Sequence, residues 1–128
     1  MTRAQRPRIL IVDDDAVLRR TLCRVVAAQF DVTEASNGAE AILLLGREKF
    51  DAILTDLEMP ELGGDGLVKW LEQNDPELAK RAIVVTGGAK RRDQSEWLSA
   101  FDPSRVLRKP CSIEDVLAAL DRILGGGS

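Results

Sequence analysis

The sequence predicts an α/β fold, a doubly wound (βα)5 three-layer sandwich whose parallel sheet runs in the order 2-1-3-4-5. Three observations carry this. Short apolar runs alternate strictly with longer amphipathic stretches, which calls for parallel strands with helices on both faces. Of the five strand-like runs, the first, third and fourth are apolar throughout and the second and fifth are mixed. The mixed ones therefore fall at the sheet edges. The polar residues that interrupt the pattern gather just after the strands, on the side where sheets of this kind bind ligands.

Each element has a local reason. Ile9-Leu10-Ile11-Val12 is apolar and β-branched and reads as a buried first strand. Asp15 is placed to cap the helix that follows, with Leu18, Leu22, Val25 and Val26 expected on its inner stripe. Val32 to Ala35 is a half-polar edge strand. Ser36 and Asn37 can cap a second helix, with Ala41, Leu44 and Leu45 facing inward. Ala52 to Thr55 is the third strand. Met59-Pro60 and Gly63, Gly64 and Gly66 form a loop before a helix around Leu67 to Glu72, which Asn74-Asp75-Pro76 breaks.

Ala82 to Val85 is the fourth strand. The glycines after it predict a flexible loop. A basic segment, Lys90-Arg91-Arg92, reads as a solvated face and leads into a short helix through Trp97. Trp70 and Trp97 are expected to be partly buried helix residues. Arg105 to Arg108 is the other edge strand. Ser112 starts the last helix, with Glu114 and Asp115 suited to the helix dipole and Ile113, Leu117, Leu120 and Leu124 as its inner stripe.

The chain has 128 residues, enough for one domain with a real core. Residues 1–7 read as a polar lead-in, with Arg3, Arg6 and Arg8 solvated. Residues 8–124 form the domain, and 125–128 a flexible linker or tail. The domain fills the chain to Leu124, so an output function is expected from a partner surface or a fused segment.

Composition excludes several mechanisms. The net charge of −3 gives no case for direct nucleic-acid binding. There is no histidine, which removes His-ligated metals, Ser-His-Asp and Cys-His catalysis, and any phosphohistidine carried by the chain itself. Cys23 and Cys111 make no disulfide framework, and the start lacks an apolar signal core. No apolar run approaches the roughly 18 residues of a membrane span. A cytoplasmic setting is expected, with no direct membrane contact.

The chemistry lies at the strand ends. The first strand ends in Asp13-Asp14-Asp15, the third in Asp56 with Glu58 after it, the fourth in Thr86-Gly87-Gly88, and the fifth in Lys109-Pro110. Strands one and three are neighbours in the predicted order, so Asp13, Asp14 and Asp56 meet. Three carboxylates that close need counter-charge. Lys109 supplies one positive charge, and a hard cation such as Mg²⁺ supplies more. A carboxylate nucleophile, a metal, a lysine and a hydroxyl are the parts phosphoryl transfer needs. Each piece alone is common at strand ends; the set in this order is not.

On these residues the chain resembles a receiver domain of a two-component response regulator. The resemblance rests on Ile-Val-Asp-Asp-Asp (11–15), Leu-Thr-Asp-Leu-Glu-Met-Pro (54–60), Val-Val-Thr-Gly (84–87) and Lys-Pro (109–110). It implies the flavodoxin-like fold and a role for each matched residue. Asp56 is the implied phosphoacceptor. Asp14 ligates Mg²⁺ directly, Asp13 directly or through water, and Asp56 and the backbone carbonyl of Glu58 complete the protein ligands. Thr86 and Lys109 each bind a phosphoryl oxygen. The Lys109-Pro110 bond is expected to be cis.

The resemblance implies a phosphodonor that is a sensor histidine kinase or a histidine phosphotransfer domain. It also implies a downstream partner or fused domain; a homodimer stays open. There is no classical substrate turnover, only self-catalysed aspartyl phosphorylation and dephosphorylation. Glu58 and Gly88 border the phosphoryl group and set its lifetime. Val106 stands where the family commonly places an aromatic switch residue, and reads as an edge-strand packing residue. The Thr-Gly-Gly-Ala loop (86–89) is similar to those of receivers in hybrid histidine kinases.

Two other readings compete. Asp13-Asp14-Asp15-Ala16-Val17 loosely fits the Asp-x-Asp-x-Thr/Val signature of haloacid-dehalogenase-like phosphatases. That reading lacks a cap segment and leaves Asp56 to Pro60 unexplained. The other is a receiver-like docking module that is never phosphorylated.

Overall fold

The computed structural model describes residues 5–125. The elements are β1 (Arg8–Val12), α1 (Ala16–Val26), β2 (Asp31–Ala35), α2 (Gly38–Leu45), β3 (Ala52–Asp56), α3 (Gly64–Asn74), α4 (Pro76–Ala79), β4 (Ala82–Thr86), α5 (Arg92–Ala100), a 3-10 turn (Pro103–Arg105), β5 (Val106–Arg108) and α6 (Ile113–Ile123). All strand pairs are parallel and the sheet order is β2-β1-β3-β4-β5, as the strand composition predicts. Residues 126–128 of the proposed tail and 1–4 of the lead-in lie outside the described residues.

The central strands are apolar because both of their faces are covered. Alternate residues feed two separate cores. Leu10, Val12, Ile53 and Val84 pack with Leu67, Leu71 and Leu98 on one side. Ile9, Ile11, Leu54 and Ile83 pack with Cys23, Val26, Val116 and Leu120 on the other. Each fully buried aliphatic of this size contributes about 1.5–3 kcal/mol. Helices α1, α2 and α6 start at side-chain caps: Asp15 accepts from the amides of Val17 and Leu18, Asn37 from that of Glu40, and Ser112 forms a reciprocal capping box with Asp115.

The structure departs from the sequence reading at several elements. The buried face of α1 is Arg19, Cys23 and Val26, while Leu18 and Val25 are exposed. Arg19 takes the inner position because its guanidinium has partners there: Nη1 donates to the Asp13 carbonyl and Nε to Glu34. The inner face of α6 centres on Val116, Ala119 and Leu120; of the expected stripe, Leu120 is fully buried while Ile113, Leu117 and Leu124 are half-buried beside it. Asn74-Asp75-Pro76 does more than end a helix. Asp75 accepts from Leu78 N–H and Pro76 opens the extra turn α4, where a missing N–H costs nothing.

Arg8 is not a solvated lead-in residue. It lies in β1, stacks over Phe50 with its guanidinium carbon 5.1 Å from the ring centroid, and pairs with Asp31 and Glu48. Arg6 donates to the Ala27 carbonyl. Trp70 and Trp97 are half-buried.

Candidate functional site

The carboxyl ends of β1, β3, β4 and β5 converge on one acidic pocket. β3 delivers Asp56, which is only 4 % exposed. The turn after β1 delivers Asp13, half-buried, and Asp14, exposed. One carboxylate oxygen from each of Asp13, Asp14 and Asp56 lies within 4.8 Å of the others. Lys109 reaches over from the end of β5, with Nζ 3.1 Å from Asp56 Oδ1. Lys109 is the charge partner of this buried oxygen, which takes no hydrogen bond from any other described residue. The Lys109-Pro110 peptide is cis, as expected.

Burial dominates the electrostatics. It pushes the Asp56 carboxyl up to about 6 against the pull of Lys109, with Asp13 and Glu58 adding repulsion. Asp13 is raised for the same first reason, opposed by the Asp15 amide and Lys109. Burial alone would lower Lys109, but Asp56 and then Asp13 and Glu58 hold it above its ordinary value. One lysine does not neutralise this many carboxylates. This buried oxygen beside two more carboxylates is a hard-oxygen donor set, and it fits a divalent cation such as Mg²⁺.

The loops after β3 and β4 join the pocket through Glu58. Its Oε2 accepts from the Thr86 hydroxyl at 2.8 Å and its Oε1 from the Gly87 amide at 2.7 Å. Thr86 is 1 % exposed and its oxygen in turn accepts from Gly88 N–H at 3.1 Å. The loop expected to be flexible is thus tied at its first two amides. Gly88, at φ 142°, has a backbone that favours glycine.

Behind Asp56 the chain passes through Gly63 and Gly64. A Cβ at Gly64 would stand 2.6 Å from the Asp56 carbonyl, and one at Gly63 2.5 Å from the Leu57 carbonyl. These two positions need glycine for close backbone approach, a use the loop composition did not reveal. The Leu57 carbonyl accepts from both Gly64 N–H and Gln94 Nε2. Buried Gln94 also donates to Asp65 Oδ1 and so fastens α5 to this loop. Gln94 and Asp65 were not legible: partners 29 and 37 residues away leave no local signal.

Of the residues singled out in the sequence, Asp13, Asp14, Asp56 and Lys109 come together directly, and Glu58 and Thr86 join them at one edge. Gly88 sits exposed in the adjoining loop. Val106 lies apart, half-buried on β5 against the core and in register with Val84. A groove of about 510 Å³ between α1 and α6, lined by Leu18, Leu22, Ile113 and Val116, leads to Asp56 and Lys109.

A doubly wound parallel sheet with acids, a hydroxyl and a lysine at its carboxyl edge defines a class of phosphoryl-handling signalling domain. The family model of the response regulator receiver domain matches residues 9–121, and the chain belongs to that family. Membership displaces the haloacid-dehalogenase-like alternative.

The chain is 33% identical over 118 residues to the response regulator receiver protein CpdR of Brucella abortus, covering 91% of this chain and 96% of that protein. It is 31% identical over 121 residues to the gliding motility regulatory protein of Myxococcus xanthus, covering 94% of this chain but 16% of that protein. It spans a quarter of the Escherichia coli transcriptional regulator NtrC, at 32% identity. A CheY-like receiver domain from Methanospirillum hungatei superposes with a TM-score of 0.83 at 26% identity, covering 95% of this chain and 96% of that one. Receiver domains take phosphoryl groups from histidine kinases and act on downstream partners. No helix among the described residues is long and apolar enough to cross a membrane.

Proposed function

We propose that this receiver accepts a phosphoryl group onto Asp56 from a phosphohistidine on a sensor kinase or phosphotransfer domain. The observation that carries the reading is Asp56 itself: a buried carboxylate, 3.1 Å from Lys109 and clustered with Asp13 and Asp14. With its carboxyl pushed up to about 6 by burial in the metal-free fold, Asp56 is still mainly ionised at neutral pH.

In the step, an Asp56 oxygen attacks phosphorus, an O–P bond forms, and the N–P bond breaks with its electron pair returning to the imidazole. Lys109 faces the negative oxygens of the transferring group, and Thr86 donates its hydroxyl proton to one of them. Asp14, Asp13, Asp56 and the Glu58 carbonyl would hold Mg²⁺. When bound, that ion neutralises the acids and the phosphoryl oxygens. Hydrolysis of the acyl phosphate returns the carboxylate, and Glu58 and Gly88 tune its rate from the loop edge. The transferred charge repositions Thr86 and its loop, which changes the surface offered to a downstream partner. Val106 packs the edge strand and is no aromatic switch. A cytoplasmic setting suits this chemistry.

The test is intact-mass measurement after incubation with Mg²⁺ and a small acyl-phosphate donor. A single phosphoryl adduct is expected on the wild type and none on Asp56→Asn. No adduct on the wild type, or an equal one on the variant, overturns the reading and leaves the docking-module alternative.

A further inference from the structure

Glu58 is the charged side chain whose position the acceptor chemistry does not explain. A carboxylate near Asp56 meets repulsion from it, yet this one turns inward rather than into solvent. Two donors draw it there. Oε2 takes the Thr86 hydroxyl proton at 2.8 Å and Oε1 takes the Gly87 amide at 2.7 Å. The threonine rotor is fixed as well, because its oxygen accepts from Gly88 N–H. A hydroxyl has a single proton to give. While Glu58 holds it, none is left for another oxyanion. Thr86 is 1 % exposed, so water does not offer an easy alternative partner.

We propose that Glu58 is an internal anion that competes with the incoming phosphoryl group for the Thr86 hydroxyl and the Gly87 amide. The inference rests on the reading of Asp56 as acceptor. Phosphorylation then exchanges one anion for another at the same pair of donors. The β4–α5 loop is tied to Glu58 before the reaction, and activation moves the Glu58 carboxylate off these donors as the loop shifts to the phosphoryl group. Glu58 is a positioning residue here: it acts on the phosphoryl group only through the donors it occupies. Two charge-assisted hydrogen bonds have to be given up, which sets back phosphoryl-mimic affinity in the wild type.

The experiment uses the whole chain in two measurements. In metal-free protein, amide hydrogen exchange at Gly87 is compared between wild type and Glu58→Ala. Exchange at Gly87 is expected to quicken about tenfold, the size of one charged hydrogen bond, while the amides of Ile53 and Val84 keep their wild-type protection and show the fold intact. Unchanged Gly87 exchange overturns the proposal.

In the second, binding of beryllium trifluoride with Mg²⁺ is titrated in wild type, Glu58→Ala, Glu58→Gln, Thr86→Ala and Glu58→Ala/Thr86→Ala. Affinity is expected to rise about tenfold in Glu58→Ala and less in Glu58→Gln, which keeps one acceptor oxygen. The gain is expected to shrink several-fold in the Thr86→Ala background, where one of the contested donors is gone. No gain in Glu58→Ala overturns the proposal. An equal gain with and without Thr86 also overturns it, since removal of bulk negative charge then explains everything. The two readings fail differently: no adduct on the wild type removes the Asp56 assignment, whereas a normal adduct with no gain removes the Glu58 assignment alone.

Discussion

The two ends of the parallel sheet carry similar charged residues and treat them in opposite ways. At the amino ends of the strands the charges around Arg8 are paired. Arg8 pairs with Asp31 and Glu48, donates to the Lys49 carbonyl and covers Phe50, while Asp51 accepts from the Arg8 amide. Arg81 closes the same end on the Asp51 carbonyl. At the carboxyl ends, Asp13, Asp14, Asp56 and Glu58 crowd around Lys109, and a buried Asp56 oxygen takes no hydrogen bond from any other described residue. The first end is finished by the fold. The second is left with more negative than positive side-chain charge, an excess that a bound divalent cation would offset.

Substitutions can break this contrast, and the largest effect is expected at Gly64. A Cβ there meets the Asp56 carbonyl at 2.6 Å, and neither partner is a flexible side chain. Gly64→Ala is expected to cost about 2–3 kcal/mol of stability, as overpacked cores do, read from the midpoint of urea unfolding. A wild-type midpoint would mean that the backbone behind the acidic pocket gives way freely.

The next effect is a gain. The Asp56 carboxyl is raised in the fold, to about 6. The wild type therefore has its full stability below the unfolded-state value near 4 and loses it as pH rises through about 6. Asn does not titrate. In metal-free protein, Asp56→Asn is expected to match the wild type at pH 4 and to exceed it by about 2–3 kcal/mol at pH 7–8, followed by thermal unfolding across that range. A pH-independent difference would remove the charge argument.

The smallest effect belongs to the other end and has the opposite sign. Arg8→Met is expected to lose about 1 kcal/mol, since half-exposed ion pairs and a cation–π contact are each worth less than that. The loss should be flat between pH 6 and 8 and shrink in high salt. A loss as large as that of Gly64→Ala would show that the amino end is a structural keystone and not merely well neutralised.

The strands and the pocket acids were legible in the sequence because both follow local rules. Ile9 to Val12 is buried on both faces and so is apolar at every position, while Asp56 and Thr86 end a strand and Asp13 and Lys109 follow one directly. What escaped was set by distant partners. The helical period of α1 pointed to Leu18 and Val25, but Arg19 won the inner face through Glu34, 15 residues on. Asp75 read as a breaker because a capping side chain and a turn-forming one look alike until the next turn is seen. Glu58 was visible as a residue near the acceptor, and its hold on Thr86, 28 residues away, was not.

The clamp on the Leu57 carbonyl has a mechanical consequence. Gln94 bolts α5 to the residue next to the acceptor, with no slack segment between them. A helix fixed in that way works as a lever with a short arm: it does not tilt without dragging residue 57, and residue 57 does not shift without tilting it. Linkage makes the traffic two-way. A partner that gripped α5 in one tilt would change the affinity of the acceptor pocket for a charged ligand by the same factor by which that ligand changed the grip.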